Sequence, residues 1–121
     1  METGQRPWGH YDVLGEASTH KVKRITVLPG RRLSYQRHAQ RSEHWHFVAG
    51  SGVLTLDGRE LQVQAGDSID VPVLAAHRVA NTSSGDLVFV EVQTGESFDE
   101  EDIIRLDDDY GRAATEPTSG T

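Results

Sequence analysis

At 121 residues the chain is long enough for one domain with a modest core and too short for two. It contains no cysteine, which excludes disulfide scaffolds, zinc ribbons, iron–sulfur clusters and thiol catalysis, so any metal centre must draw on His, Asp, Glu, Gln or Asn. The net charge of −7 argues against non-specific binding to DNA or RNA. The longest run of large apolar residues, about Leu87 to Val90, is far short of a membrane span. Met1 to Arg6 lacks the basic-then-apolar order of a signal peptide, so a cytoplasmic protein is expected.

In chain order, the first strand pattern is Val22 to Leu28, closed by the turn signal Pro29-Gly30. Glu43 to Val48 follows and ends before Gly50-Ser51-Gly52. Val53 to Leu56 runs into Asp57-Gly58, a dipeptide that favours a two-residue hairpin, and Glu60 to Val63 is the return strand. Ser68 to Val71 ends at Pro72, which has no N–H to extend a ladder. Arg78 to Ala80 ends at Asn81, expected to cap a turn, and Leu87 to Gln93 ends before Gly95. Strands recurring about every ten residues predict an antiparallel sandwich or barrel. One short helical turn is predicted over Glu100 to Leu106, with Ile103, Ile104 and Leu106 on its buried side. The domain is expected over 1–112, with 113–121 as a small-residue, polar, mobile tail.

Charge is segregated along the chain. Lys21, Lys23, Arg24, Arg31, Arg32, Arg37 and Arg41 lie in one stretch, and the acidic residues from Asp99 to Asp109 in another. These are either two solvated faces or a basic pocket for an anionic small molecule with an acidic segment elsewhere.

Histidines are the chemistry-bearing residues that stand out. In extended chain, equal parity means one face, so His38 pairs with Gln40 and His44 with His46, and strand pairing can bring His77 beside them. Several imidazoles and an amide suit a divalent first-row metal. Trp45 and Phe47 read as core between sheets. Glu91 and Gln93 alternate with Val88, Val90 and Val92, so if the valines face outward these two polar side chains point into the barrel. A carboxylate buried there must be ion-paired or functional.

Gly30, His38-Ala39-Gln40, Glu43-His44 and Gly50 resemble the first cupin motif, with Gln40 where a second histidine is usual. Gly66, Pro72, His77 and Asn81 resemble the second, with Leu74 where a glycine is usual. Arg6-Pro7-Trp8-Gly9 with Tyr11, Lys21 to Ile25, Tyr35-Gln36, Arg41 to Trp45, Val90 to Gly95 and Asp108 to Arg112 narrow the resemblance. They are similar to the cupin domain of type II mannose-6-phosphate isomerases, over about residues 6 to 112. In that family the domain often follows a nucleotidyltransferase; this chain shows no Gly-rich phosphate loop.

The resemblance implies an all-β jelly roll, the cupin double-stranded β-helix, holding one divalent ion (zinc, nickel, cobalt, manganese or iron). The implied reaction interconverts mannose 6-phosphate and fructose 6-phosphate. The implied ligands are His38, Gln40, His44 and His77, because the next family ligand falls four or five residues beyond Gln40 and His44 shares its parity. Glu43 is held in reserve, since a bulge would reverse that parity. Glu43 or Glu91 is the candidate base, with His46 third, and Arg37, Arg41, Lys23 or Arg78 would hold the phosphate. Two other readings stay open. One is a dioxygenase using His38, His77 and Glu43; the other is a non-catalytic sugar-phosphate-binding module. A homodimer is expected, built on open sheet edges, the valine face and Trp8. The acidic segment would then pair with the basic one within a subunit or across to its mate.

Overall fold

The computed structural model describes residues 2–111, so Arg112 and the tail expected at 113–121 lie outside the described residues. The strands are β1 (Thr3–Arg6), β2 (Gly9–Glu16), β3 (His20–Val27), β4 (Tyr35–Arg37), β5 (Arg41–Ala49) and β6 (Ser51–Leu56). They continue with β7 (Arg59–Gln64), β8 (Ser68–Val71), β9 (His77–Asn81), β10 (Leu87–Gly95) and β11 (Ile104–Asp107). A six-stranded sheet runs β1-β2-β3-β10-β5-β8, and a five-stranded sheet runs β11-β4-β9-β6-β7. Every pairing is antiparallel. This is an antiparallel sandwich, as the strand spacing predicts, and the jelly roll that the resemblance implies.

The period-2 pattern decides what each strand buries. On β10, Leu87, Phe89, Glu91 and Gln93 are buried while Val88, Val90 and Val92 are half-buried on the opposite face. On β5, Arg41, Glu43, Trp45 and Phe47 point inward while His44, His46 and Val48 are exposed. One end of the interior is therefore apolar and the other polar. At the apolar end Trp45 stacks on Phe89 with centroids 4.3 Å apart, and Phe47 lies 5.1 Å from Phe89. Leu54 and Val79 close this cluster from the other sheet. Truncating the fully buried Phe89 to Ala would cost about 3–5 kcal/mol.

Turn chemistry fixes the register around the polar end. Asp57 and Gly58 take φ of 47° and 81°, the two positive values of a tight hairpin between β6 and β7. The Asp57 carboxylate also accepts the Ala76 N–H at 2.9 Å, which anchors the loop before His77. Gly95 has φ of 150°, and a Cβ there would sit 2.3 Å from the Gln40 carbonyl oxygen. Only glycine lets the end of β10 pass so close to the segment that carries His38. Asn81 caps its turn as expected: its amide donates to the Val27 and Gly85 carbonyls, both at 2.8 Å, and its oxygen accepts the Ser83 N–H.

Three expectations need correction. No helix forms over Glu100 to Leu106; Asp99 to Ile103 makes tight turns and Ile104–Asp107 becomes an edge strand paired to β4. Ile104 and Leu106 are 44% and 41% exposed. That segment is held by charge instead of apolar burial. Arg32 grips Asp109 at 2.6 and 2.7 Å, Arg78 reaches Asp107 at 3.1 Å, and Lys21 and Lys23 meet Glu100. The acidic and basic stretches therefore pair with each other within one chain and are not two separate solvated faces. Trp8, expected at a subunit interface, is instead buried in the core of its own chain.

Candidate metal centre and active site

The polar end of the interior brings together His38, Glu43 and His77, whose ligating atoms lie within 4.8 Å of one another. All three are buried. His38 lies between the end of β4 and the start of β5, Glu43 on β5, and His77 opens β9. The two imidazoles are wired alike. His38 Nδ1 is 2.5 Å from the Asp102 carbonyl, and His77 Nδ1 is 2.9 Å from the Ala75 carbonyl. A carbonyl can only accept, so each Nδ1 carries the proton and each Nε2 presents a lone pair. These lone pairs face Glu43, with Nε2–Oε distances of 3.3 Å for His38 and 3.9 Å for His77.

Electrostatics keeps that pattern. Burial holds His38 down at about 4, reinforced by Arg41 and His77 and opposed by Glu43. Burial also lowers His77. Both rings are neutral near pH 7, the form that binds metals. Burial would raise Glu43, but attraction to imidazolium at His38 and His77 and to Arg41 outweighs it and holds the carboxyl down at about 2. Near pH 7, where both rings are neutral, the Arg41 guanidinium is the cation that faces the carboxylate. Arg41 Nε donates to one Glu43 oxygen and Trp45 Nε1 to the other, both at 2.9 Å. Glu91 is the opposite case. Burial, and then the charge on Glu43, push it up to about 8 against the pull of Lys23. Gln93 Nε2 donates to Glu91 Oε2 at 2.5 Å.

These groups line a cavity of about 90 Å³ that also takes in Lys23, Arg41, Gln36 and Arg105. Of the residues singled out from the sequence, His38, His77, Glu43, Glu91, Lys23 and Arg41 meet there. Five do not. His44 is exposed on the outer face of the six-stranded sheet and pairs with Asp70 at 2.7 Å, and His46 beside it contacts Ser68. Gln40 is exposed, and only its backbone is engaged, by the Asp102 carboxylate at 2.9 Å. Arg37 and Arg78 are each one residue out of step with the cavity-lining Gln36 and His77; Arg78 instead donates to the Leu33 carbonyl and Asp107.

The reason is a reset of parity. His38 to Gln40 is not strand: β4 stops at Arg37 and β5 starts at Arg41, so counting from Gln40 carries no information about β5. The signal that could have found Glu43 lies within β5 itself. Glu43 has the parity of Trp45 and Phe47, whose apolar side chains mark the inward face. Tyr11, Gln36, Glu100 and Arg105 also line the cavity, and Trp45 and Asp102 orient the ligands; none was expected in those roles.

Two antiparallel sheets closed around an inward-facing His/Glu/His cluster define the class as a cupin. Within that class the chain belongs to the mannose-6-phosphate isomerase C-terminal family, which it matches over residues 1–108. It is 43% identical over 109 residues to the alginate biosynthesis protein AlgA of Pseudomonas aeruginosa, covering 90% of this chain and 23% of that one. To the mannose-1-phosphate guanylyltransferase of Escherichia coli K12 it is 42% identical over 107 residues, covering 88% and 22%. The chain thus spans less than a quarter of the length of these relatives. Among solved structures, oxalate decarboxylase of Lactobacillus farciminis is similar at a TM-score of 0.76 and 22% identity, over 87% of this chain and 33% of that one. That likeness shows the fold alone. Among the described residues no helix is long and apolar enough to cross a membrane.

Proposed function

We propose that the chain holds one divalent metal ion through His38, Glu43 and His77 and isomerises a sugar phosphate, interconverting mannose 6-phosphate and fructose 6-phosphate. One observation carries the metal assignment: His77 Nε2 is fully buried, has no hydrogen-bond partner, and faces an ionised carboxylate. A bare imidazole lone pair in such a place fits a metal ion, and the backbone-anchored Nδ1–H groups are the outer contacts that orient ligating histidines. Two nitrogen donors and one carboxylate suit zinc, nickel, cobalt, manganese or iron. When bound, the ion would supply positive charge to stabilise negative charge developing on the substrate oxygens at C1 and C2.

The chain's own residues account for the rest. Glu91 carries the proton between C2 and C1; its raised proton affinity lets it both take and return a proton near neutrality. Glu43 would hold the ion and His46 faces away, which leaves Glu91 as the proton carrier. Gln93 holds the Glu91 carboxyl in position. Lys23 and Arg41 bind the phosphate by charge-assisted hydrogen bonds. The family supports the substrate class.

Metal analysis of the purified chain followed by a coupled assay for fructose 6-phosphate tests this. Turnover with metal and none after chelation is expected. Sugar-phosphate binding without turnover in the metal-loaded chain would favour a non-catalytic module. The ligand set favours one second reading, because two histidines and a carboxylate are also the donors of non-haem iron oxygenases. Oxygen uptake on a substrate panel separates it from isomerisation.

A further inference from the structure

Lys21 and Lys23 lie two residues apart on β3, and both are buried, at 7% and 3% exposure. A buried ammonium is costly unless an anion faces it. Glu100 supplies that anion to both: its Oε2 is in direct ion contact with Lys23 Nζ and 3.6 Å from Lys21 Nζ. Arg41, on β5, reaches the same turn, donating to the Asp99 carbonyl at 3.1 Å while its Nε holds Glu43. Three cations from two strands thus converge on Asp99 and Glu100, and one of them touches the metal-site carboxylate.

The occupant is placed to leave. The Glu100 side chain is 37% exposed, against 4% for Lys23. Its neighbour Asp102 is fixed, with its carboxylate accepting the Ala39 and Gln40 N–H groups and its carbonyl facing His38. Glu100 can swing out while the anchor of His38 stays. The cavity at about 90 Å³ is well below the roughly 300 Å³ at which small-molecule pockets begin, so a ligand must displace something to enter.

We infer that Glu100 is the built-in occupant of the cavity's anion subsite at Lys23 and Arg41, with Lys21 facing the same carboxylate from outside the cavity lining, and that a phosphomonoester dianion must displace it to enter. Glu100 is then a specificity residue. A phosphomonoester brings nearly two negative charges and three acceptor oxygens and can outcompete one carboxylate. A ligand with a single carboxylate cannot. The inference rests on the sugar-phosphate reading only for the identity of the natural ligand.

The test is titration of the chain with inorganic phosphate, followed by calorimetry, beside Glu100→Gln, Glu100→Ala and Lys23→Met. Removing the carboxylate should tighten phosphate about fivefold, the fold-change a partly exposed ion pair is worth. Both Glu100 variants should show it, and Lys23→Met, checked for folding by its thermal transition, should lose binding. Phosphate affinity unchanged or weaker in both Glu100 variants, or undiminished in folded Lys23→Met, would overturn the subsite. None of these readouts uses turnover, so a chain without isomerase activity leaves this result standing, and an active isomerase with unchanged phosphate affinity refutes only the subsite.

Discussion

Replacing Glu91 with Gln should make the metal-free protein more stable and, at the same time, inactive. Glu91 is 6% exposed, and its carboxyl is pushed from an ordinary 4.5 up to about 8. The folded chain therefore keeps a proton that the unfolded chain releases between those two values. Stability contributed by the protonated form is fully present below 4.5, falls as pH rises, and is gone above about 8. At about 1.4 kcal/mol per pH unit, the native state has lost about 3 kcal/mol by pH 7 and under about 1 kcal/mol at pH 5. Glutamine mimics the protonated carboxyl and can still accept the Gln93 amide, so Glu91→Gln avoids this loss. Urea unfolding with a chelator present, at both pH values, measures the gap. The variant should exceed the parent by about 3 kcal/mol at pH 7 and by under about 1 kcal/mol at pH 5, with unchanged slope in denaturant. A gap that does not shrink toward pH 5, or a variant less stable at both, would refute the assignment of a protonated Glu91.

Leu74 sits at φ 68°, a left-handed conformation that a Cβ resists, with its side chain 52% exposed. Leu74→Gly should raise stability by about 1 kcal/mol in thermal unfolding while preserving the Leu74 N–H bond to the His38 carbonyl. His44→Ala and Gln40→Ala should leave metal content unchanged by elemental analysis, because both side chains lie outside the cluster. We also propose a homodimer through sheet and apolar contacts. Since the charged segments pair within the chain, light scattering should give twice the chain mass at low and high salt alike; a monomer at both would refute it.

Where apolar residues alternate between turn residues, the strands are legible in the sequence. Ser68–Val71 has the expected bounds, β3, β5, β7 and β9 differ by one or two residues at each end, and β6 and β10 differ by two residues at one end only. β1, β2, β4 and β11 are not legible. Thr3–Arg6 and Tyr35–Arg37 are short and polar, and Ile104–Asp107 is an edge strand held by ion pairs, so none carries the alternation that burial imposes. In the site, His38 and His77 stand out by residue type and spacing. Counting from Gln40 selects His44 wrongly because three non-strand residues separate β4 from β5, whereas the parity of Trp45 and Phe47 within β5 marks Glu43 as inward. The meeting of Lys23 with Glu100 spans 77 residues and leaves no local trace.

The central claim is that His38, Glu43 and His77 form one metal site. Calorimetric titration of a divalent ion such as zinc, cobalt or nickel into the chelator-stripped chain tests it most directly, with His77→Ala titrated alongside. The account predicts one ion per chain for the parent and loss of that site in His77→Ala, whose thermal transition shows it still folded. No binding by the parent, or an unchanged single site in folded His77→Ala, would contradict it.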